Sequence, residues 1–368
     1  MPILKKIAIQ DFRNIVFQEL SFSPNINCVS GNNGVGKTNL MDAIWYLSMT
    51  KSAFSTSDRF NFRHGTEAFA ISGTYDMGGG PLARFSVQVN SKGEKKIRRD
   101  DKPYPKVSVH IGVLPIVMVS PSDTSLVSES GDDRRRFMNA VLSQMDREYL
   151  SSIQQYNRLL VQRNKMLKDG VGDEGLLSVF DERMDLCAQV VFGAREKFVR
   201  DLVPILSEYY ANLSGGREEV AIGYQSDLRK GSLVDLLKAS REKDKVLGYT
   251  SVGVQRDDLE FKMDGYPIRR CGSQGQQKSF LVSLKFAQYE IMKRRYGFPP
   301  TMLLDDVFDK LDMGRIGNLL GMVAGSDFGQ IFITDSNKVR MSGIVDNLTA
   351  DRAYVEVDAG EFKEVGDA

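Results

Sequence analysis

Residues 31–38 read GNNGVGKT: three glycines, then a lysine and a threonine. The spacing fits G-x-x-x-x-G-K-[ST], with an apolar stretch, INCVS (26–30), before it and a helical run, KTNLMDAIWYLS (37–48), after it. Glycine has no Cβ, so backbone N–H groups in such a turn can close on phosphate oxygens. The helix N-terminus behind them adds positive potential. The expected chemistry is nucleoside triphosphate binding. Gly31, Asn32, Asn33, Gly34, Val35 and Gly36 would line the phosphates, Lys37 would reach the β- and γ-phosphates, and Thr38 would bind Mg²⁺.

Two later stretches carry matching chemistry. TMLLDD (301–306) is a short apolar strand that ends in two acids. Strands of open α/β sheets point their C-terminal ends at the ligand crevice. Asp305 is placed to orient Mg²⁺ through water, and Asp306 to align the attacking water or take its proton. GSQGQQK (272–278) opens another helix. Ser273 and Gln276 have capping-box spacing, and a helix cap accounts for those two alone. A cap does not ask for Gly275, Gln276, Gln277 and Lys278 together. Gly275 keeps the helix mouth open, Ser273 offers a hydroxyl, and the first-turn amides offer a dipole, which are the parts of a γ-phosphate contact. The loop at 31–38 already surrounds a nucleotide from one side. The later turn is therefore expected to face the nucleotide of a second copy across a homodimer interface.

These residues need elements to hold them. Residues 3–9 and 26–30 read as strands, and 69–75, 82–90 and 107–119 as β-rich runs punctuated by Gly and Pro, with a basic hairpin between. From 132 to 167 the apolar positions Leu142, Met145, Tyr149, Ile153, Tyr156 and Leu160 keep a heptad rhythm. A polar link, DGVGDEG (169–175), leads to a second helical run through Leu177, Phe180, Met184, Cys187, Val191, Phe198 and Leu202. Two helices of about 35 residues would make an antiparallel pair roughly 50 Å long. The pair reads either as core helices of a bundle or as an arm projecting from the first domain. Strand patterns resume after Gly215–Gly216, followed by a helix at 274–295 and strands at 301–306, 331–334 and in the tail AYVEVD. The reading divides the chain into 1–125, the first part of a head; 126–212, a helical domain; and 213–368, the second part of the head.

Composition bounds the rest. A chain of 368 residues with 42% hydrophobic and 26% charged residues can bury a sizeable core. Cys28, Cys187 and Cys271 are in no paired spacing, which argues for reduced thiols and against a zinc site. His64 and His110 have no neighbour at metal-ligand spacing and read as structural; Trp45 and Tyr46 read as core. No h-region opens the chain, and no stretch reaches the roughly 18–20 apolar residues that span a bilayer. A cytoplasmic protein without a membrane partner is expected. A net charge of +1 confines any nucleic-acid surface to a local patch.

The order of loop, Ser-x-Gly-Gln-Gln turn and LLDD strand around a helical insertion resembles an ABC-type ATPase head of the SMC kind. Fuller strings are similar to the RecF family of bacterial recombination mediators: DFRN (11–14), GNNGVGKTNLMDAI (31–44), SPSD (120–123), RRRF (134–137), RDDLEF (256–261), GSQGQQKSFLVSLKFA (272–287) and LLDDVFDKLD (303–312). The likeness spans nearly the whole chain. It implies an α/β head, a P-loop ATPase of the ABC/SMC type with an antiparallel coiled-coil-like insertion, that binds ATP and Mg²⁺ and closes as a pair over two nucleotides. It places Arg13 and Asn14 near adenine and phosphates and adds Asn39 to the cradle. It also sends Ser273, Gly275 and Gln276 to the partner's nucleotide, puts Asp309 and Asp312 in a loop crossing the interface, and gives Thr334 the switch position. Implied partners are duplex or gapped DNA, RecO, RecR and, indirectly, RecA, in recombinational repair and replication restart.

Three departures from transporter heads stand out: Asp306 in place of glutamate, Thr334 in place of histidine, and SPSD where a glutamine would meet Mg²⁺. A shorter carboxylate and a missing histidine imply a weak ATPase, with hydrolysis a timer for pairing. A transport ATPase subunit, a short SMC-like tether and a small-molecule kinase are the competing readings. The first lacks those groups, the second needs far more coiled coil, and the third has no use for the turn at 272–278. Candidate DNA contacts are Lys5, Lys6, KKIRR (95–99) and Arg134, Arg135 and Arg136. The arginines oppose the dipole of their own helix, which suggests an anion, unless Asp132 and Asp133 neutralise them. No residue reads base edges, so recognition is expected to ignore sequence.

Overall fold

The computed structural model describes residues 1–129, 131–170, 174–307, 328–346, 349 and 351–365. Two compact units divide the chain. The first comprises Met1–Asp123, Asn212–Ser214 and Val282–Ala368; the second comprises Thr124–Ala211 and Gly215–Leu281.

Among the described residues the first unit holds two six-stranded sheets. One is antiparallel, in the order β2-β1-β4-β5-β6-β7, from Ile3–Phe12 (β1), Ile15–Ser21 (β2), Ala68–Asp76 (β4), Ala83–Asn90 (β5), Lys95–Arg99 (β6) and Lys102–Pro103 (β7). Its strands alternate buried and exposed residues, as a sheet with one solvated face must. In β1 a register shift between Leu4 and Lys6 lets Leu4 and Ile7 both face inward at odd spacing. The other sheet runs β15-β14-β3-β13-β12-β8, from Ile26–Ser30 (β3), Ile116–Val119 (β8), Thr301–Leu304 (β12), Ile331–Asp335 (β13), Arg352–Asp358 (β14) and Glu361–Val365 (β15). It is parallel except at β15. Strands β3, β8, β12 and β13 are buried at every residue, which is why IVMV, TMLL and IFIT read as mainly apolar runs, while INCVS also buries the polar Asn27 and Ser30. Of the β-rich stretch 107–119 only Ile116–Val119 is strand; Val107–Val109 forms a single 3₁₀ turn.

Helix α1 (Lys37–Met49) packs against β1, β4 and β5 of the first sheet and against β8 and β13 of the second. A helix covered on both sides is apolar nearly all round, so KTNLMDAIWYLSM lacks a polar stripe. Tyr46 is fully buried and donates to Asp58 Oδ1 at 2.6 Å, while Trp45 is half-buried. His110 is also buried, with Nε2 2.6 Å from the Leu47 carbonyl.

In the second unit the expected pair of long helices is reorganised. After the short α2 (Ser125–Ser128), the run 132–167 is two helices, α3 (Gly131–Met145) and α4 (Arg147–Asp169). Asp146 separates them and caps α4, accepting from the N–H groups of Glu148 at 2.8 Å and Tyr149 at 3.0 Å. Such a cap is worth about 1 kcal/mol. Helix α5 (Glu174–Ser214) is the second long run. The pair does not stand as an isolated arm. Helix α6 (Leu233–Leu247) packs on α4, and α3 packs on the middle strand of a three-stranded sheet of Val220–Gln225 (β9), Asp258–Met263 (β10) and Tyr266–Pro267 (β11). Arg163 fastens the helices: its Nε donates to Asp181 at 2.7 Å and Nη1 to Asp244 at 3.0 Å and Thr250 at 2.8 Å, all fully buried. Residues 215–281, assigned to the head from sequence, cluster with the helices instead; the strands after Gly216 belong to their own small sheet.

Candidate nucleotide site

The first unit brings its chemistry to one edge of the parallel sheet. Strand β13 lies between β3 and β12, in a register that sets Thr334 beside Val29 and Ile333 beside Leu304. Asp305, Thr334 and the loop after Ser30 therefore leave their strands together, at the C-terminal ends where such sheets bind ligands. Thr38, on the first turn of α1, donates to Asp305 at 2.9 and 3.2 Å. Thr334 Oγ1 donates to Asp305 Oδ1 at 2.8 Å and accepts the Asp306 N–H at 2.9 Å. Asp306 has φ of +45°, unusual for a residue with a Cβ, and this bond holds it there. Burial raises the pKa of Asp305, while the two threonine hydroxyls work against that rise.

The loop approaches its neighbours closely. A Cβ on Gly31 would come within 2.4 Å of the Val357 carbonyl, and one on Gly36, at φ +121°, within 2.8 Å of Asn14 Nδ2. Lys37 is buried and donates to the carbonyls of Gly31 at 2.8 Å and Asn32 at 3.1 Å. Among the described residues no group of three or more His, Cys, Asp or Glu could hold a metal ion. Thr38 and Asp305 supply two hard oxygens in contact, and that suits Mg²⁺, which takes one or two protein ligands and fills its shell with phosphate and water.

Arg13 and Asn14 form the turn between β1 and β2 and lie beside this loop. Asn14 Nδ2 donates to the Val35 carbonyl at 3.0 Å, and Asn39 Nδ2 donates to Asn14 Oδ1 at 2.6 Å. The Arg13 guanidinium turns onto α1: it donates to Asn39 Oδ1 at 3.1 Å and Ser52 Oγ at 3.0 Å and pairs with Asp42 at 2.6 Å. Burial raises the pKa of Asp42 and Arg13 draws it back. Asp42 and Ser52 were not anticipated as partners, although an acid on a helix face buried between sheets signals a cation opposite it.

The turn at 272–278 is described within the second unit. Ser273 N–H donates to Gln276 Oε1 at 2.7 Å and Gln276 N–H to Ser273 Oγ at 3.3 Å, a reciprocal capping box. Gln276 Nε2 also donates to Glu218 at 2.9 Å. Gly275 lies in the first turn of helix α8 (Gln274–Tyr296), numbered after the short α7 (Ile268–Cys271). Ser273 is exposed. Asp309 and Asp312 lie outside the described residues.

Of the three arginines at 134–136, the first two are internal latches, and the exposed Arg136 has a partner only within its own helix. Arg134 grips Asp258 with two bonds, at 2.6 and 2.9 Å. Arg135 donates to the Asp257 carbonyl at 2.7 Å and pairs with Asp132, and Arg136 pairs with Asp133 at 2.6 Å. RDDL is the other half of this latch, for Asp257 also takes the buried Arg195 at 2.5 Å and the Tyr224 hydroxyl at 2.5 Å. The basic strand 95–99 is partly committed as well: Lys95 pairs with Asp58 at 2.9 Å and donates to the Thr50 carbonyl. Lys6 pairs with Glu19. No helix among the described residues is long and apolar enough to cross a membrane.

Comparison with known proteins agrees with this architecture. The model of the RecF/RecN/SMC N-terminal domain matches residues 3–350. A relative from Bacteroides fragilis named DNA replication and repair protein RecF is 42% identical over 364 residues, covering 99% of this chain and 98% of its own. One of the same name from Parabacteroides distasonis is 43% identical over 361 residues, covering 98% and 99%. A solved structure of the recombination mediator protein RecF-ATP in the RecFOR pathway has a TM-score of 0.89 at 27% identity, covering 99% of this chain and 98% of that one.

Proposed function

The chain belongs to the RecF family of DNA replication and repair proteins, and on that premise we propose that it is an ATP-switched subunit that pairs with a second copy and binds DNA in recombinational repair. The observation that carries the reading is the contact of Thr38, Asp305 and Thr334, three residues from three separate elements meeting at one sheet edge.

ATP and Mg²⁺ would supply the phosphate charge and the ion that the two copies enclose. The residues' parts follow from their positions. Backbone from Gly31 to Gly36 lines the phosphates, Lys37 supplies the cation, and Thr38 and Asp305 supply the metal's protein oxygens. Asp306 offers its carboxylate to the attacking water. Thr334 holds both acids in register and has no basic nitrogen to give, which suits slow turnover. Asn14 and Asn39 brace the loop, and Arg13 neutralises Asp42 beneath it. Ser273, Gly275 and Gln276 are assigned to the partner's nucleotide. The capping box presents Ser273 to solvent, in support of that part of the reading. DNA would be held through its phosphates, with affinity that falls as salt rises. The RecFOR context of the solved relative supports RecO and RecR as partners.

Gel filtration with and without ATP and duplex DNA tests the proposal. Dimers that require ATP, with salt-sensitive DNA binding, are expected. Lys37→Ala should lose ATP binding and pairing together, and Ser273→Arg should bind ATP and remain a monomer. A wild-type chain that stays monomeric with ATP and ignores DNA would reject the reading.

A further inference from the structure

The long helices of the second unit have two unlike sides. Arg163 of α4 reaches Asp181 of α5, and both meet α6, through Asp244 and Arg241. That side is the inner one. A second contact, from Arg195 Nε to the Tyr149 hydroxyl at 3.2 Å, fixes the antiparallel register along the pair. In this register Arg158 stands across from Leu186, Val161 from Arg183, and Lys165 from Val179. At about 100° per residue, all six point within roughly 40° of the direction opposite Arg163 or Asp181. They make up an outer face.

Val161 is 69% exposed, Val179 51% and Leu186 69%. A single exposed leucine needs no explanation. Here, however, each cross-pair holds one apolar side chain and one cation. The three positions on each helix are spaced by three and four residues, the rhythm of a coiled-coil seam. Arg158, Lys165 and Arg183 are exposed, and among the described residues none of them is paired with an acid. The inner side, by contrast, neutralises Arg163 and Arg241 with Asp181 and Asp244. The outer face therefore offers apolar area and unmatched positive charge together. A nucleic-acid backbone would answer the charge and leave valine and leucine in water. A second copy of the same face would set cation against cation. A helix with an apolar stripe flanked by carboxylates satisfies both demands.

We propose that the outer face of α4 and α5 docks an acidic amphipathic helix of a partner protein. The apolar stripe of that helix seats on Val161, Val179 and Leu186, and its Asp or Glu side chains meet Arg158, Lys165 and Arg183. Docking adds a third helix to the pair in coiled-coil fashion, with the flanking charges selecting the partner. The inference goes beyond the functional reading above and does not rest on it.

The test uses the full chain without nucleotide and a fluorescein-labelled synthetic peptide of about three heptads, with leucine at positions a and d and glutamate at e and g. Fluorescence anisotropy reads its binding. Two control peptides carry lysine at e and g, or serine at a and d. The acidic leucine peptide should bind roughly tenfold or more tightly than either control, and less tightly as salt rises. Val161→Glu and Leu186→Glu should each weaken it roughly tenfold or more, because each withdraws an apolar contact and adds a like charge. Both side chains already stand in water, so both variants should melt with the wild type. Val246→Glu, at an 88% exposed position of α6 outside this face, should bind the peptide as wild type does. If the acidic leucine peptide binds no tighter than its controls, or if Val161→Glu and Leu186→Glu both bind it as wild type does, the docking is overturned. If duplex DNA displaces the peptide, and Arg158→Glu with Lys165→Glu abolishes DNA binding, the face holds nucleic acid and the proposal is overturned as well. None of these outcomes bears on ATP-dependent pairing, which gel filtration decides separately.

Discussion

Thr334→Val tests the site most directly. The two side chains share a shape, so the change removes one hydroxyl and little else. Two bonds go: the donation to Asp305 at 2.8 Å and the acceptance from Asp306 N–H at 2.9 Å. The first is made to a charged acceptor and is worth about 1.5–3 kcal/mol. It favours the ionised form of Asp305, so losing it raises that pKa further. Burial has already raised the pKa, so the variant moves the same way. Metal binding needs the carboxylate. Mg²⁺-dependent ATP binding is therefore lost as pH falls through the Asp305 pKa, and in Thr334→Val that acid limb moves to higher pH. The second bond leaves a backbone N–H without its partner and costs about 1–3 kcal/mol of stability. Titration with a fluorescent ATP analogue from about pH 5 to about pH 8, with Mg²⁺ and again with chelator, reads the limb. Thr334→Ser keeps the hydroxyl and should track wild type. An acid limb that stays put in Thr334→Val, or moves equally in Thr334→Ser, refutes the reasoning.

Other outcomes follow from buried charge. Arg163→Met leaves Asp181 and Asp244 without their shared cation and should cost about 3–5 kcal/mol in urea unfolding, part of it recovered by adding Asp244→Asn; a cost under about 1 kcal/mol would show that the network is idle. His110 has its pKa lowered by burial, so the folded state resists the proton that the unfolded chain accepts near pH ~6.5. Stability should fall as pH drops from neutrality through that value, by at most about 1.4 kcal/mol per pH unit, and His110→Gln should remove that component of the slope. Asp306→Asn should slow the decay of the ATP-bound dimer; decay at the wild-type rate would remove Asp306 from the hydrolytic step.

That the glycine loop and Asp305 would meet was legible because the rules expected of a phosphate-binding loop are local. Backbone must come close, so Gly31 and Gly36 are glycines, and both positions would clash with a Cβ. An acid expected to serve a metal should leave a strand end, and Asp305 follows a fully buried strand. What escaped was whatever local spacing does not encode. The apolar rhythm through Leu142, Met145 and Tyr149 continues straight across the break at Asp146, because periodicity records which side faces the core and says nothing about whether the backbone stays helical. The signal was the aspartate itself, with the first-turn glutamate of the new helix two residues on.

The arginines at 134–136 show the same limit from the side of charge. A cationic first turn is locally unfavourable, and the sequence alone leaves two ways to relieve it, an external anion or the neighbouring Asp132 and Asp133. The relief is partly local, from Asp132 and Asp133 on the same turn, and partly distant: Asp258 and the Asp257 carbonyl stand 124 and 122 residues away from their arginines. Charge complementarity over such separations leaves no periodic trace. Asp258, at the start of β10, holds Arg134 of α3, and Asp257, just before it, holds Arg195 of α5. RRRF and RDDLEF, which looked like two separate functional motifs, are therefore the two sides of one latch. A charge reversal in either, such as Arg134→Asp, should be relieved by the opposite change at Asp258, and a search for the DNA surface gains more from cations outside this latch.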